Sequence, residues 1–263
     1  MIQNDKAGSK YWNENWSNSN FPLPFNHLDQ SLDNYVNQEL HKYFQKILSH
    51  DKKISILEIG CANSVWPLYF KTYFDADVYG LDYSEIGCKN MRTMLKDKNV
   101  SAEIYNIDLF QPPEDLIGKF DFVVSFGVVE HFLDTENCLN ACAIFVKDGG
   151  KLFTLIPNLS GIMGTIQKCV NKSIYDIHVP LTKDDLRKSH NDANLQLIEC
   201  DYFLPINLNV INIGENFPSP FNKVLRHIFS SISKICWMLE KIGIKLPRCR
   251  LTSPYIIALA NKI

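Results

Sequence analysis

Three acidic side chains stand at the ends of short apolar runs. They are Glu58 in Ile54-Ser-Ile-Leu-Glu-Ile-Gly60, Asp82 in Val78-Tyr-Gly-Leu-Asp82, and Asp108 in Ile104-Tyr-Asn-Ile-Asp108. In an open parallel sheet the strand C-termini converge on one edge, so such side chains can line one crevice. An acid about twenty residues past a glycine turn suits a bidentate hold on ribose hydroxyls. That chemistry serves any adenosine-bearing nucleotide, NAD included, and Asp108 is better placed for an adenine amino group. Two histidines offer proton transfer. His131 follows Glu130 in the apolar stretch Ser125-Phe-Gly-Val-Val-Glu-His-Phe132, where a polar pair is costly to bury without partners. His178 lies in Ser173-Ile-Tyr-Asp-Ile-His-Val-Pro180. Read as an extended segment, this puts Asp176 and His178 on one face, where a carboxylate orients an imidazole.

These residues need elements to hold them. Gly60 permits the sharp bend from a buried strand into a helix, which leaves free helix N–H groups beside the crevice. From Ile54 the pattern alternates. Strands are expected at 54–59, 77–82, 101–106, 120–126 and 150–156, and helices near 65–75, 84–96 and 135–147. A helix at 182–192, a strand at 195–203 and a last strand at 255–260 follow. The steps are long enough for right-handed parallel crossovers. Residues 1–50 form a helical segment with an aromatic cluster, Tyr11-Trp-Asn-Glu-Asn-Trp16. The core is expected at 51–204 and 251–263, with a cap insertion at 205–250.

In that insertion Phe221, Val224, Leu225, Ile228, Phe229, Ile232, Ile235, Cys236 and Leu239 follow a helical apolar stripe. Between 222 and 250 seven Lys/Arg meet one acid, Glu240. A cap helix with a solvated basic face is favoured over a phosphate-bearing substrate or an anionic membrane surface.

A chain of 263 residues buries one large core, or a core and a modest cap. Its net charge of -2 argues against a general nucleic-acid binder. No run approaches the ~18 apolar residues of a membrane span, and Met1-Ile-Gln-Asn-Asp-Lys6 has no apolar signal region. Eight scattered cysteines without a CxxC pair suit reduced thiols in a cytoplasmic setting, and no metal is expected.

Taken together the motifs resemble class I S-adenosylmethionine-dependent methyltransferases. The matching segments are Leu57-Glu-Ile-Gly-Cys-Ala62, Gly80-Leu-Asp-Tyr-Ser84, Asn106-Ile-Asp108, Phe120-Asp-Phe-Val-Val-Ser125, Val129-Glu-His-Phe132 and Val146-Lys-Asp-Gly-Gly-Lys-Leu152. Their order and spacing carry the resemblance over residues 54–157. It implies a Rossmann-like α/β fold: a seven-stranded, mostly parallel sheet with an antiparallel last strand and helices on both faces. It also implies bound S-adenosylmethionine. Glu58, Gly60 and Ala62 would contact the methionine moiety. Asp82 would take the ribose, Tyr83 would pack on the adenine, Asp108 and Leu109 would hold it, and Phe126 would sit beside the sulfonium. Ala62 stands where the family usually has glycine, which narrows the approach to the ligand.

The helical N-terminal segment resembles a lid, and Tyr11 becomes a candidate acceptor contact. His131 is the first candidate base, or a residue that only orders its loop, and His178 is the second. Asn158, Tyr175 and Asp176 are candidate acceptor contacts, with Lys168 weaker. The expected acceptor is a small molecule: a hydroxyl of a sugar, nucleotide-sugar or phosphorylated metabolite of surface-glycan assembly. That preference rests on a looser likeness of residues 149–203 to bacterial glycan methyltransferases. An amine acceptor of amino-sugar or phosphoethanolamine type, a lipid-quinone acceptor, and a non-catalytic S-adenosylmethionine-binding module stay open. Nucleic-acid methylation lacks support, because Ser125-Phe-Gly-Val128 stands where an Asn-Pro-Pro-Tyr-type motif would be.

Overall fold

A computed structural model describes residues 5–17, 21–48, 53–214 and 217–263. The boundary drawn at residue 50 and most of Met1–Lys6 lie outside the described residues. Seven strands form one sheet: β1 (Ser55–Ile59), β2 (Asp77–Asp82), β3 (Ala102–Asn106), β4 (Phe120–Phe126), β5 (Val146–Pro157), β6 (Leu195–Phe203) and β7 (Tyr255–Lys262), in the order β3-β2-β1-β4-β5-β7-β6. β1 pairs in parallel with both β2 and β4, while β7 runs antiparallel between β5 and β6. Strand order therefore reverses at β1, and a crevice opens there between the C-terminal ends of β1 and β4. The expected Rossmann-like sheet with its antiparallel last strand is the one observed.

Period-two alternation sorts the strand side chains onto two faces. Leu57, Ile59, Val123, Leu152 and Ile156 pack on one, against α5 (Thr135–Ile144) and α8 (Lys183–Asp192). Ile56, Val78, Phe122, Val124 and Phe153 pack on the other, against α2 (Tyr35–Ile47) and α3 (Trp66–Phe74). At the β3 edge, α4 (Glu85–Asp97) buries Cys88, Met91 and Leu95 with Cys61 and Ile104. Ser84 caps α4, its hydroxyl accepting from the Gly87 amide. A short helix, α1 (Gly8–Ser17), lies across α4, with Asn90 Nδ2 donating to the Trp16 carbonyl.

After β5 the chain forms α6 (Ile162–Val170) and α7 (Lys172–Asp176). The extended reading of 173–180 is corrected here. Tyr175 and Asp176 are helical, and Asp176 pairs with Lys172 one turn back. Asn171 caps the helix and fixes that outcome, its side chain accepting from the Ile174 amide. The long helix α9 (Ser219–Lys241) is anchored by buried Phe229, Ser233 and Trp237. Trp237 stacks on Tyr35 at 5.3 Å, and its indole donates to the Ile206 carbonyl. The apolar stripe read from the sequence is divided. Phe229 faces the core, while Phe221, Val224, Ile228, Ile232 and Ile235 are exposed.

Candidate active site

A cavity occupies the β1–β4 switch point. Ile59, Gly60 and Ala62 line it from the β1 turn, Leu81, Asp82 and Tyr83 from β2, and Ile107 and Leu109 from the β3 turn. Phe126, Val128, His131 and Phe132 close the β4 side, and Asp5, Trp12 and Trp16 cover it. The turn after β1 is held by the end of β2. The Gly60 and Cys61 amides donate to the Leu81 carbonyl, and the Ala62 amide donates to Asp82 Oδ2 at 3.1 Å. Gly60 has φ +77°, and a Cβ there would meet Val128 Cγ2 at 2.4 Å, so both backbone and space demand glycine.

Asp82 is buried, and burial raises its carboxyl to about 6 despite the amides that hold it. Its Oδ1 accepts from the Ser84 amide at 2.8 Å. The Tyr83 amide is a third backbone group that favours its charged form.

Glu58 lies one layer below the cavity lining. Its Oε1 accepts from Ser64 Oγ at 2.7 Å, and burial pushes its carboxyl up to about 8. It therefore acts on the turn. Asp108 is also off the lining: its Oδ1 accepts from the Phe110 amide at 3.0 Å, so it shapes its own turn while Ile107 and Leu109 face the cavity. Of the three acids expected to gather, Asp82 alone lines the cavity.

The N-terminal segment clasps the opposite side. Asp5 Oδ2 accepts from the Tyr83 hydroxyl at 2.6 Å. The Lys6 amide donates to the His131 carbonyl at 2.9 Å, and Lys6 Nζ donates to the His178 carbonyl at 2.7 Å. Ser84 Oγ donates to Asn13 Oδ1 at 2.8 Å. Trp12 meets the His131 ring edge-on at 5.2 Å. Tyr11 packs on Trp12 away from the lining, while Asp5, Trp12 and Trp16 are the N-terminal residues that line the cavity. No motif marked Asp5 or Lys6, because their partners lie far along the chain.

His131 and His178 come together, with ring centroids 4.4 Å apart. Each Nδ1 sits on a backbone carbonyl: Ile177 at 2.8 Å for His131 and Ile174 at 2.6 Å for His178. This geometry assigns Nδ1 as the donor and leaves Nε2 a free lone pair. Burial lowers His131 below the usual imidazole range, and burial with the neighbouring ring lowers His178 to about 4. Both are neutral at pH 7. Glu130 is buried with Oε2 unpartnered among the described residues, and burial raises it to about 8. One ligand atom from each of Glu130, His131 and His178 lies within 4.8 Å of the others, a spacing that admits a metal ion.

Other candidates stand apart. Asn158 is buried and spent, donating to the Arg250 and Ser253 carbonyls and accepting from Ser160. Lys168 lies over the Tyr175 ring on the outer face of α6 and α7. Phe126 stacks on Trp66 at 4.6 Å and presents its ring to the cavity.

This sheet order with a nucleotide-type cavity at its switch point is the class I methyltransferase arrangement. The chain belongs to the methyltransferase-domain family, whose pattern matches residues 29–246. A ubiquinone biosynthesis O-methyltransferase of Pseudomonas paraeruginosa is 24 % identical over 151 residues, covering 54 % of this chain and 65 % of that protein. Its counterpart in Acinetobacter baumannii is 25 % identical over 153 residues, covering 55 % and 64 %. The chain thus spans less than two thirds of the length of these curated relatives. Among solved structures, geranyl diphosphate C-methyltransferase from Streptomyces coelicolor A3(2), in complex with Mg2+, geranyl diphosphate and S-adenosyl-L-homocysteine, aligns with a TM-score of 0.58 at 10 % identity over 97 % of this chain and 98 % of that one. The cyclase SpnF aligns with a TM-score of 0.62 at 9 % identity over 100 % and 97 %. Such identities speak for the fold alone.

Proposed function

We propose that the protein transfers a methyl group from S-adenosylmethionine to a hydroxyl of a small-molecule acceptor. The observation that carries this is one cavity lined by both a buried carboxylate, Asp82, and a neutral histidine, His131. The lining fits the cofactor. Leu81, Ile107 and Leu109 offer apolar faces to an adenine, the acidic side chain of Asp82 suits a ribose diol, and Gly60 and Ala62 bring small residues to the lining. When bound, S-adenosylmethionine supplies an electrophilic methyl on a good leaving group, so the chain mainly has to orient and dehydrate.

Asp82 would hold the ribose, Leu109 and Tyr83 would line the base, and Phe126 would supply an aromatic ring for the positive sulfur. Trp12 and Trp16 exclude water from above. His131 accepts the acceptor's proton at Nε2, with Ile177 fixing the ring through Nδ1. His178 sits against it as a neutral neighbour, and repulsion between two charged rings limits the pair to one added proton, and so to one positive charge. Glu58 and Asp108 keep the turns in place.

An oxygen acceptor is supported by the poised neutral histidine and by the O-methyltransferase names of the relatives. A sugar, nucleotide-sugar or phosphorylated metabolite of surface-glycan assembly is our preferred acceptor, on the likeness of residues 149–203. An amine acceptor, which must arrive neutral, is the alternative. The eight free cysteines fit a reducing, cytoplasmic setting. Calorimetric titration with S-adenosylmethionine and NAD side by side tests the cofactor, and release of demethylated cofactor across hydroxyl and amine acceptors tests the reaction. Binding of NAD but not S-adenosylmethionine refutes the reading. Cofactor binding with no product on any acceptor favours a binding module.

A further inference from the structure

Among the described residues the outward side of α9 is largely exposed, with Phe221 alone of its large side chains making a ring contact, to Phe217 at 5.3 Å. At about 100° per residue the helix divides into three arcs. Phe229, Ser233 and Trp237 face the core. Phe221, Val224, Ile228, Ile232, Ile235 and Met238 form a second arc, each between 40 and 56 % exposed. Lys223, Lys234 and Lys241 mark the third. From Phe221 to Met238, at ~1.5 Å per residue, the apolar strip is roughly 27 Å long. A contiguous exposed stripe of this size marks a contact surface.

Charge indicates what covers it. Lys234 pairs with Asp33 and Lys241 donates to the Gln30 carbonyl, while Lys223, Arg226 and Lys245 meet no acid among the described residues. The single acid of residues 222–250, Glu240, is already bound to Arg248 at 2.9 Å. A second copy packed about a two-fold axis would bring no unpaired acid of residues 222–250 to Lys223, Arg226 and Lys245. An anionic bilayer offers both an apolar layer for the stripe and phosphates for the flank. The helix also packs on α6 through Phe229 and Met163, and α6 follows the C-terminal end of β5, the sheet edge that carries the cavity.

We propose that α9 is an interfacial helix that lays its apolar stripe into the surface of an anionic phospholipid bilayer. This stands independently of the methyl-transfer reading, since it is measured without cofactor or acceptor. The test is co-sedimentation of the full chain with vesicles of phosphatidylcholine alone and of phosphatidylcholine with phosphatidylglycerol, at low and high salt. Binding to the anionic vesicles, weakened by salt, is expected. The double variant I228D/I235D should lose it roughly tenfold or more, and K223E/K245E should lose it chiefly at low salt. A wild-type circular dichroism spectrum and a cooperative urea transition show that each variant is folded. No sedimentation with anionic vesicles at low salt overturns the proposal, as does binding that survives both variants. A dimer in solution that the I228D/I235D variant dissociates assigns the stripe to a second copy and overturns it too.

Discussion

The methyl group of Ala62 and the missing side chain of Gly87 fit each other. A Cβ on Gly87 would lie 2.3 Å from the Ala62 Cβ, 3.0 Å from Trp16 Cδ1 and 3.1 Å from Ser84 Oγ. The alanine in the β1 turn, where the family usually carries glycine, is thus accommodated by a glycine in the first turn of α4. The Ala62 amide remains free to hold Asp82.

Gly87→Ala should therefore destabilise the chain by about 1–3 kcal/mol, the usual cost of overpacking, even though alanine is the better helix former. The double variant A62G/G87A should recover much of that loss, because the two sites share one space. Urea unfolding of the four proteins measures the coupling. Equal costs for G87A with and without Ala62 would show that the clash lies elsewhere.

Asp82→Asn keeps the shape and removes the charge. We expect cofactor binding to weaken by about 1–3 kcal/mol, the scale of lost charge-assisted hydrogen bonds. Burial raises the Asp82 carboxyl to about 6, so wild-type affinity should fall as pH drops through that value, and the asparagine variant should lose this dependence. Calorimetry from pH 5 to 8 reads both effects. An unchanged dissociation constant would free Asp82 from the ribose.

The sheet and its switch point were legible because strand runs and crossover lengths are local properties of the chain. Asp82 was legible because its strand ends where the motif spacing says. That Glu58 and Asp108 bond their own turns was not legible, because a carboxylate can do so as readily as it faces a ligand: Ser64 and Phe110 each take one oxygen, and the Glu58 Oε2 stays unpartnered among the described residues. Tyr175 and Asp176 read as extended because the Asn171 cap, which starts a helix, outweighed alternation over so short a segment. The Asp5 and Lys6 clasp was illegible since its partners are distant in sequence. The stripe of α9 shows the limit of periodicity: it marks an apolar face and does not say what that face meets.

His131→Ala should lower kcat by roughly 10²–10⁴ while leaving cofactor affinity nearly unchanged, as expected for loss of a general base. Since burial already lowers the His131 pKa, the acid limb of the pH–rate profile should lie below the ordinary imidazole range. Near wild-type turnover would leave His178 as the base or an acceptor that needs none. Treatment with EDTA, followed by dialysis, should leave turnover unchanged. A loss restored by a divalent ion would instead make Glu130, His131 and His178 a metal site.

Glu130 sets a pH dependence of stability. Folded, its buried carboxyl keeps its proton up to about 8; unfolded, it loses it near 4.5. Between those values the folded state binds more protons, so unfolding free energy falls as pH rises. Glu58 has the same sign and window, and Asp82 adds to it below about 6. His131, His178 and His190 have lowered values and act oppositely, but only below the ordinary histidine range. Above pH 6.5 the histidines no longer oppose the carboxyls, and the melting temperature of the ligand-free protein should drop toward pH 8. Glu130→Gln removes one titrating group and should flatten that slope by about 1–2 kcal/mol across the interval. A variant with the wild-type slope would mean that Glu130 is ionised in the folded protein and has a cationic partner.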